Sequence, residues 1–159
     1  MRSLHRRLIK AGRSCNGALF YGAPGGGKTR AAHGIIRKAG FTAITIVPDD
    51  VSSGRYSETA TNLRRRLDDI VRLCKRGTGI ILDEAEKLFE KPEQENRDTL
   101  QTSTAFCQWI DRYARSRRSD IMFICTANDI THLPQHLLSR LSGLMFKFEG
   151  PQTPDAKVN

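Results

Sequence analysis

No stretch of this 159-residue chain is apolar for long enough to cross a bilayer as a helix, which takes about 20 such residues. The basic start, Met1-Arg2-Ser3-Leu4-His5-Arg6-Arg7, leads into none of the apolar core that a secretory signal needs. Four cysteines, Cys15, Cys74, Cys107 and Cys125, are widely spaced without a C-x-x-C pair, and the four histidines show no H-E-x-x-H spacing. Neither a zinc site nor a disulfide framework is therefore indicated, and a reducing, intracellular and cytoplasmic setting without a membrane partner is expected. There are no internal repeats and no linker long enough to separate two domains. The length suits one domain with a real core.

Acidic charge is also scarce: the formal net charge is +9. The excess is clustered. Residues 1–15 hold five lysines and arginines and no acid, Arg64-Arg65-Arg66 are consecutive, and Arg112, Arg115, Arg117 and Arg118 follow. Such clusters favour polyanionic partners in a general way, although a basic cluster on a helix is more often a solvated face or a subunit contact than a nucleic-acid site.

What is present alternates regularly. A basic flank covers 1–15, with Leu4, Leu8 and Ile9 as its few apolar positions on a short helix. Apolar, β-branched runs at 18–21, 41–47, 78–82, 120–126 and 144–148 read as strands. Between them, 30–39, the stretch after Ser57 or Thr59, a short piece after Glu84, a longer one around Phe106, Ile110 and Tyr113, and 134–141 read as helices. A polar tail covers 150–159, leaving a core at 16–149. This alternation predicts an α/β fold with a parallel sheet between helices.

The strand at 18–21 runs into Gly22-Ala23-Pro24-Gly25-Gly26-Gly27-Lys28-Thr29, which fits G-x-x-x-x-G-K-[ST] and is followed by a helix. In that context the loop backbone cradles phosphates, Lys28 meets the β- and γ-phosphates, and Thr29 offers a hydroxyl to Mg²⁺. The strand at 78–82 ends in Asp83-Glu84, and the strand at 120–126 leads to Asn128. Ligands of open parallel sheets bind at the carboxyl ends of the strands, so these features are expected to converge. Asp83 suits a Mg²⁺ carboxylate. Glu84 suits the base that polarises a water for attack on the γ-phosphate. Asn128 suits a bridge between that water and the phosphate, and Arg140 suits an arginine finger.

These residues resemble the AAA+ ATPases, most closely the AAA-group core. The resemblance is carried by Leu19-Phe20-Tyr21 through Thr29 (Walker A), Ile80-Ile81-Leu82-Asp83-Glu84-Ala85-Glu86 (Walker B), Ala127-Asn128 (sensor 1) and Leu137-Leu138-Ser139-Arg140 (finger region). It implies a three-layer P-loop NTPase sandwich with strand order 5-1-4-3-2, assembly with itself as a ring (a hexamer), and ATP hydrolysis with Mg²⁺ at subunit interfaces. It also implies the roles given above for Lys28, Thr29, Asp83, Glu84, Asn128 and Arg140. Protein remodelling or unfolding is the expected use of the ATP, with a protein substrate preferred to nucleic acid. An AAA+ loader or initiator acting on nucleic acid is the alternative.

Departures sharpen the expectation. Gly26 stands where the family has Thr, which should loosen the loop. Arg140 is a single arginine where the group often has R-x-G-R-F. The helical lid carrying sensor 2 is missing, and no adenine-contact motif precedes Asn16, so a fragment or minimal core with weak nucleotide affinity is expected. Tyr56 falls one residue off the family's aromatic pore-loop slot, which lands on Arg55. A DEAD-type helicase would need Ser-Ala-Thr where Cys125-Thr126-Ala127-Asn128 stands, and a small-molecule P-loop kinase would need a substrate lid.

Overall fold

The computed structural model describes residues 17–53, 58–73, 77–89, 97–115, 120–141 and 144–150. Five strands form one sheet: β1 (Ala18–Gly22), β2 (Thr42–Ile46), β3 (Thr78–Leu82), β4 (Ile121–Ala127) and β5 (Met145–Phe148). Their spatial order is β2-β3-β4-β1-β5, which is the expected 5-1-4-3-2 read from the other edge. Every neighbouring pair is parallel, with Leu19 opposite Cys125 and Met145, and Leu82 opposite Cys125's far side. β1 and β4 therefore lie at the centre, where both faces are covered.

Five helices supply that cover: α1 (Lys28–Lys38), α2 (Glu58–Leu73), α3 (Ala85–Phe89), α4 (Arg97–Arg115) and α5 (Gln135–Leu141). Alternate residues along each strand point to opposite faces. Ala18, Phe20, Ile81, Met122 and Ile124 pack with Ala32 and Ile36 of α1. Leu19, Ile80, Leu82, Phe123 and Cys125 pack with α2, α3, α4 and α5. That second face carries a row of aromatics: Phe89 stacks on Phe106 at 5.3 Å, Phe106 meets Phe123 edge-on, and Trp109 joins Phe123 to Tyr113. Trp109 is almost wholly buried, and its indole N–H donates to Asp68 Oδ1 at 2.9 Å, tying α4 to α2.

Element boundaries differ from the sequence expectation in two informative places. The helix after the phosphate loop starts at Lys28, two residues before the predicted 30–39, because Gly27 at φ 80° caps it and Gly27 O accepts the N–H of Ala31. The helix expected after Ser57 or Thr59 is described from Glu58, so Thr59 sits inside α2 and accepts the Ser53 N–H through its hydroxyl. The stretch between β2 and α2 opens with a 3₁₀ turn, Pro48–Asp50. The basic flank at 1–15, Arg55 and Tyr56 of the pore-loop comparison, Ser57, and the tail from 151 onward lie outside the described residues.

Candidate active site

β1 ends in Gly22, whose φ of 130° and contact with β5 both require glycine: a Cβ there would stand 2.1 Å from the Phe148 carbonyl oxygen. The loop turns through Gly25 and Gly27, both at positive φ, and delivers Lys28 and Thr29 into the first turn of α1. Gly26 also has a packing role. Its Cβ position is 3.0 Å from Glu149 O and 3.2 Å from Ala23 O, so the lack of a side chain lets the loop lie against the end of β5. The first turn of α1 contains no acid, which leaves its N–H groups and partial positive charge available to an anion.

Lys28 is 7% exposed, and its ammonium donates to Gly22 O at 2.7 Å, Ala23 O at 2.9 Å and Asn128 Oδ1 at 2.9 Å. All three of its hydrogens are thus directed, and one of them ties the loop after β1 to the end of β4. Thr29 Oγ1 donates to Asp83 Oδ1 at 2.8 Å, tying the same loop to the end of β3. A third set of bonds joins β3 to β4. Thr126 Oγ1 donates to Asp83 Oδ1, Glu84 N–H donates to Thr126 Oγ1 at 3.1 Å, and Asn128 N–H donates to Glu86 Oε1 at 3.0 Å. Three strand ends are therefore laced together by side chains.

Glu84 is the only described non-glycine residue with positive φ, at 51°. Such backbone is strained for a residue with a long side chain and is concentrated at functional sites. Its carboxylate accepts from Lys87 Nζ at 2.6 Å, one turn along in α3. That hydrogen bond and the carboxylate's charge hold the Lys87 ammonium above its usual range. Both partners are well exposed, so the pair is easily exchanged.

Together these residues line a cleft of about 360 Å³ that includes Pro24, Gly25, Gly27, Lys28, Thr29, Asp83, Glu84 and Asn128. The size is at the small end of the range for ligand pockets, roughly 300–1,000 Å³. The profile of the ATPase family associated with various cellular activities (AAA) matches residues 18–148. The chain belongs to the AAA family. Its parallel five-stranded sheet is the P-loop AAA fold, and residues 18–148 form an AAA-type ATPase domain. A search of curated protein sequences gives no match. Among solved structures, a chain of the E. coli MS115-1 HORMA:CdnC:Trip13 complex is similar, with a TM-score of 0.71 and 19% identity. The match covers 84% of this chain and 48% of that one, so this AAA chain spans about half the length of its structural relative. At that identity the likeness speaks for the fold alone.

Most of the residues singled out in the sequence come together in the AAA cleft. Arg140 does not. Its Nε and Nη2 donate to the two carboxylate oxygens of Asp111 at 3.0 and 2.8 Å, and its Nη1 donates to His136 O. The Asp111 hydrogen bond holds the guanidinium above its ordinary pKa. It lies outside the cleft lining, on the face formed by α4 and α5. Two cleft residues escaped the sequence reading. Arg30 lines the cleft directly after Lys28-Thr29, a position the motif leaves unspecified. Thr126 was seen only as one residue of Cys125-Thr126-Ala127-Asn128; its place opposite Asp83 follows from strand register, which a single sequence does not display.

The donor set suits Mg²⁺. Thr29 Oγ1 and Asp83 Oδ1 are hard oxygens at hydrogen-bond distance on the cleft wall. Among the described residues no cluster of three or more His, Cys, Asp or Glu could hold a metal by itself. Two hard oxygens suit an ion that keeps several waters and takes only one or two protein ligands. No described helix is long and apolar enough to cross a membrane.

Proposed function

We propose that this AAA domain binds ATP in the cleft and hydrolyses it with Mg²⁺. The observation that carries the reading is the lacing of three strand ends: Lys28 to Asn128, Thr29 to Asp83, and Thr126 to both Asp83 and Glu84. Phosphoryl transfer asks the protein mainly for positioning and charge neutralisation, and a prearranged set of this kind supplies both. In this reading Gly22, Ala23, Pro24, Gly25, Gly26 and Gly27 form the phosphate-wrapping loop. Lys28 exchanges its hydrogen bonds to the loop carbonyls for phosphate oxygens. Thr29 and Asp83 hold the magnesium, which would neutralise charge on the β- and γ-phosphates. Glu84 releases Lys87 and accepts a proton from the attacking water, and Asn128 orients that water against the γ-phosphate. The products are ADP and inorganic phosphate.

Arg140 completes the site from a neighbouring copy in a ring, a hexamer, after leaving Asp111. Its position away from its own cleft agrees with action across a subunit boundary. A protein substrate is the preferred target of the ATP-driven work, since the structural relative belongs to a complex that names protein components, HORMA and CdnC. The fold by itself does not select a substrate.

The test compares Lys28→Ala and Glu84→Gln with the unchanged chain. Lys28→Ala should abolish ATP binding. Glu84→Gln should bind ATP with Mg²⁺ and lower turnover at least about a hundredfold, the usual reach of a general base. Undiminished turnover in Glu84→Gln would remove it as the base.

A further inference from the structure

The geometry points to Thr126 as a positioning residue that sets both carboxylates at the end of β3. The inference rests on the reading of Asp83 and Glu84 given above and extends it to a residue outside the recognised motifs. Thr126 is 2% exposed, sits on central strand β4 and lines the cleft. The β3–β4 ladder pairs Leu82 with Cys125, so the next residues along, Asp83 and Thr126, fall side by side.

The direction of each hydrogen bond follows from chemistry. An ionised carboxylate only accepts, so Thr126 must give its single hydroxyl hydrogen to Asp83 Oδ1. The hydroxyl oxygen keeps its lone pairs, and one of them receives the Glu84 N–H. The N–H of Asp83 is already directed at Ile46 O, at 2.9 Å. Glu84 N–H is therefore the first backbone donor beyond the sheet ladder, and it belongs to the residue held at φ 51°. A strained backbone persists only when its surroundings over-determine it. Thr126 supplies that determination from the neighbouring strand.

One hydroxyl thus does two things. It orients the carboxylate that faces Thr29, and it holds the turn that aims the Glu84 side chain. Valine has the same shape and can do neither, whereas serine can do both.

The experiment uses the full chain with Thr126→Val, Thr126→Ser and, as a second hydroxyl-free variant, Thr126→Ala. Amide exchange of Glu84 is followed by NMR without nucleotide, alongside ATP turnover and KM with Mg²⁺. Thr126→Val should speed Glu84 exchange and lower kcat, each about tenfold, as expected for one lost hydrogen bond to a buried acceptor. At saturating Mg²⁺, KM for ATP should stay within about twofold, because the loop and Lys28 are untouched and Asp83 keeps its hydrogen bond from Thr29. Thr126→Ser should restore exchange and kcat to near the unchanged values. Thr126→Ala should behave as Thr126→Val, which settles the matter if the valine variant does not fold. Equal Glu84 exchange in the serine and the hydroxyl-free variants overturns the inference, whatever the turnover. Absence of turnover in the unchanged chain, with exchange still separating serine from valine, overturns the hydrolysis reading and leaves Thr126 in its positioning role.

Discussion

β3 and β4 change character within two residues of the same ladder. Ile80, Ile81 and Leu82, beside Phe123, Ile124 and Cys125, are closed in by helices on both faces. One step further, Asp83 and Thr126 line a cleft, Glu84 takes a left-handed backbone, and hydrogen bonds join Asp83 to Thr29 and Thr126 and Glu84 to Thr126. The mid-strand region gains from burying area and is indifferent to chemistry. The strand ends gain little from burial and depend on the direction of individual protons. Stability and reactivity are therefore separable along single strands, and substitutions at the two places should report different quantities.

The largest effect is expected in the packed region. Trp109→Ala removes a side chain that joins the aromatic row on one face and the Asp68 hydrogen bond to α2. A loss of about 3–5 kcal/mol in unfolding free energy is expected from chemical denaturation. ATP affinity should be close to normal wherever the variant is still folded. A fall in affinity as large as the fall in stability would show that the two regions are coupled.

At the strand ends the signs should separate. Glu84→Asn places a residue that tolerates left-handed backbone at φ 51° and removes the carboxylate. Turnover should drop about a hundredfold or more while the melting temperature stays unchanged or rises by about a degree. A clear fall in melting temperature would mean that the Glu84 side chain carries stability as well.

The smallest effect is a pH dependence within the packed region. Burial pushes the Cys107 thiol up from 9.0 to about 11. Above pH 9 the unfolded chain loses that proton while the folded chain keeps it, so stability falls between pH 9 and about 11 and is fully present below. Cys107→Ala should flatten this part of the stability profile, measured as the difference between the two proteins. An identical slope in both would show that the thiol is accessible to water. Cys125 is fully buried, and burial shifts its thiol in the same direction.

The strand ends were also the more legible region, for a physical reason. Lys28, Thr29, Asp83, Glu84 and Asn128 belong to chemistry that demands particular residue types next to β-branched runs, and local sequence displays both. The five strands and their parallel arrangement were visible in the same way, because buried strands read as continuous apolar runs. Register was not visible, and with it went Thr126, whose partner lies 43 positions away in sequence. The true start of α1 was hidden too, since a left-handed Gly27 cap looks like one more loop glycine. Arg140 was readable as a lone arginine on a short helix, but its bidentate hold on Asp111 depends on how α4 and α5 pack.

The seam between the phosphate loop and β5 has a mechanical meaning. Gly22 and Gly26 let the loop lie against Phe148 and Glu149, and a Cβ on Gly150 would come within 3.2 Å of Ala23. β5 is an edge strand, paired only to β1. Three missing side chains thus weld the loop to the one strand that leaves the sheet beside it. Backbone packed this closely leaves the turn at 22–26 and the end of β5 little room to shift independently of one another.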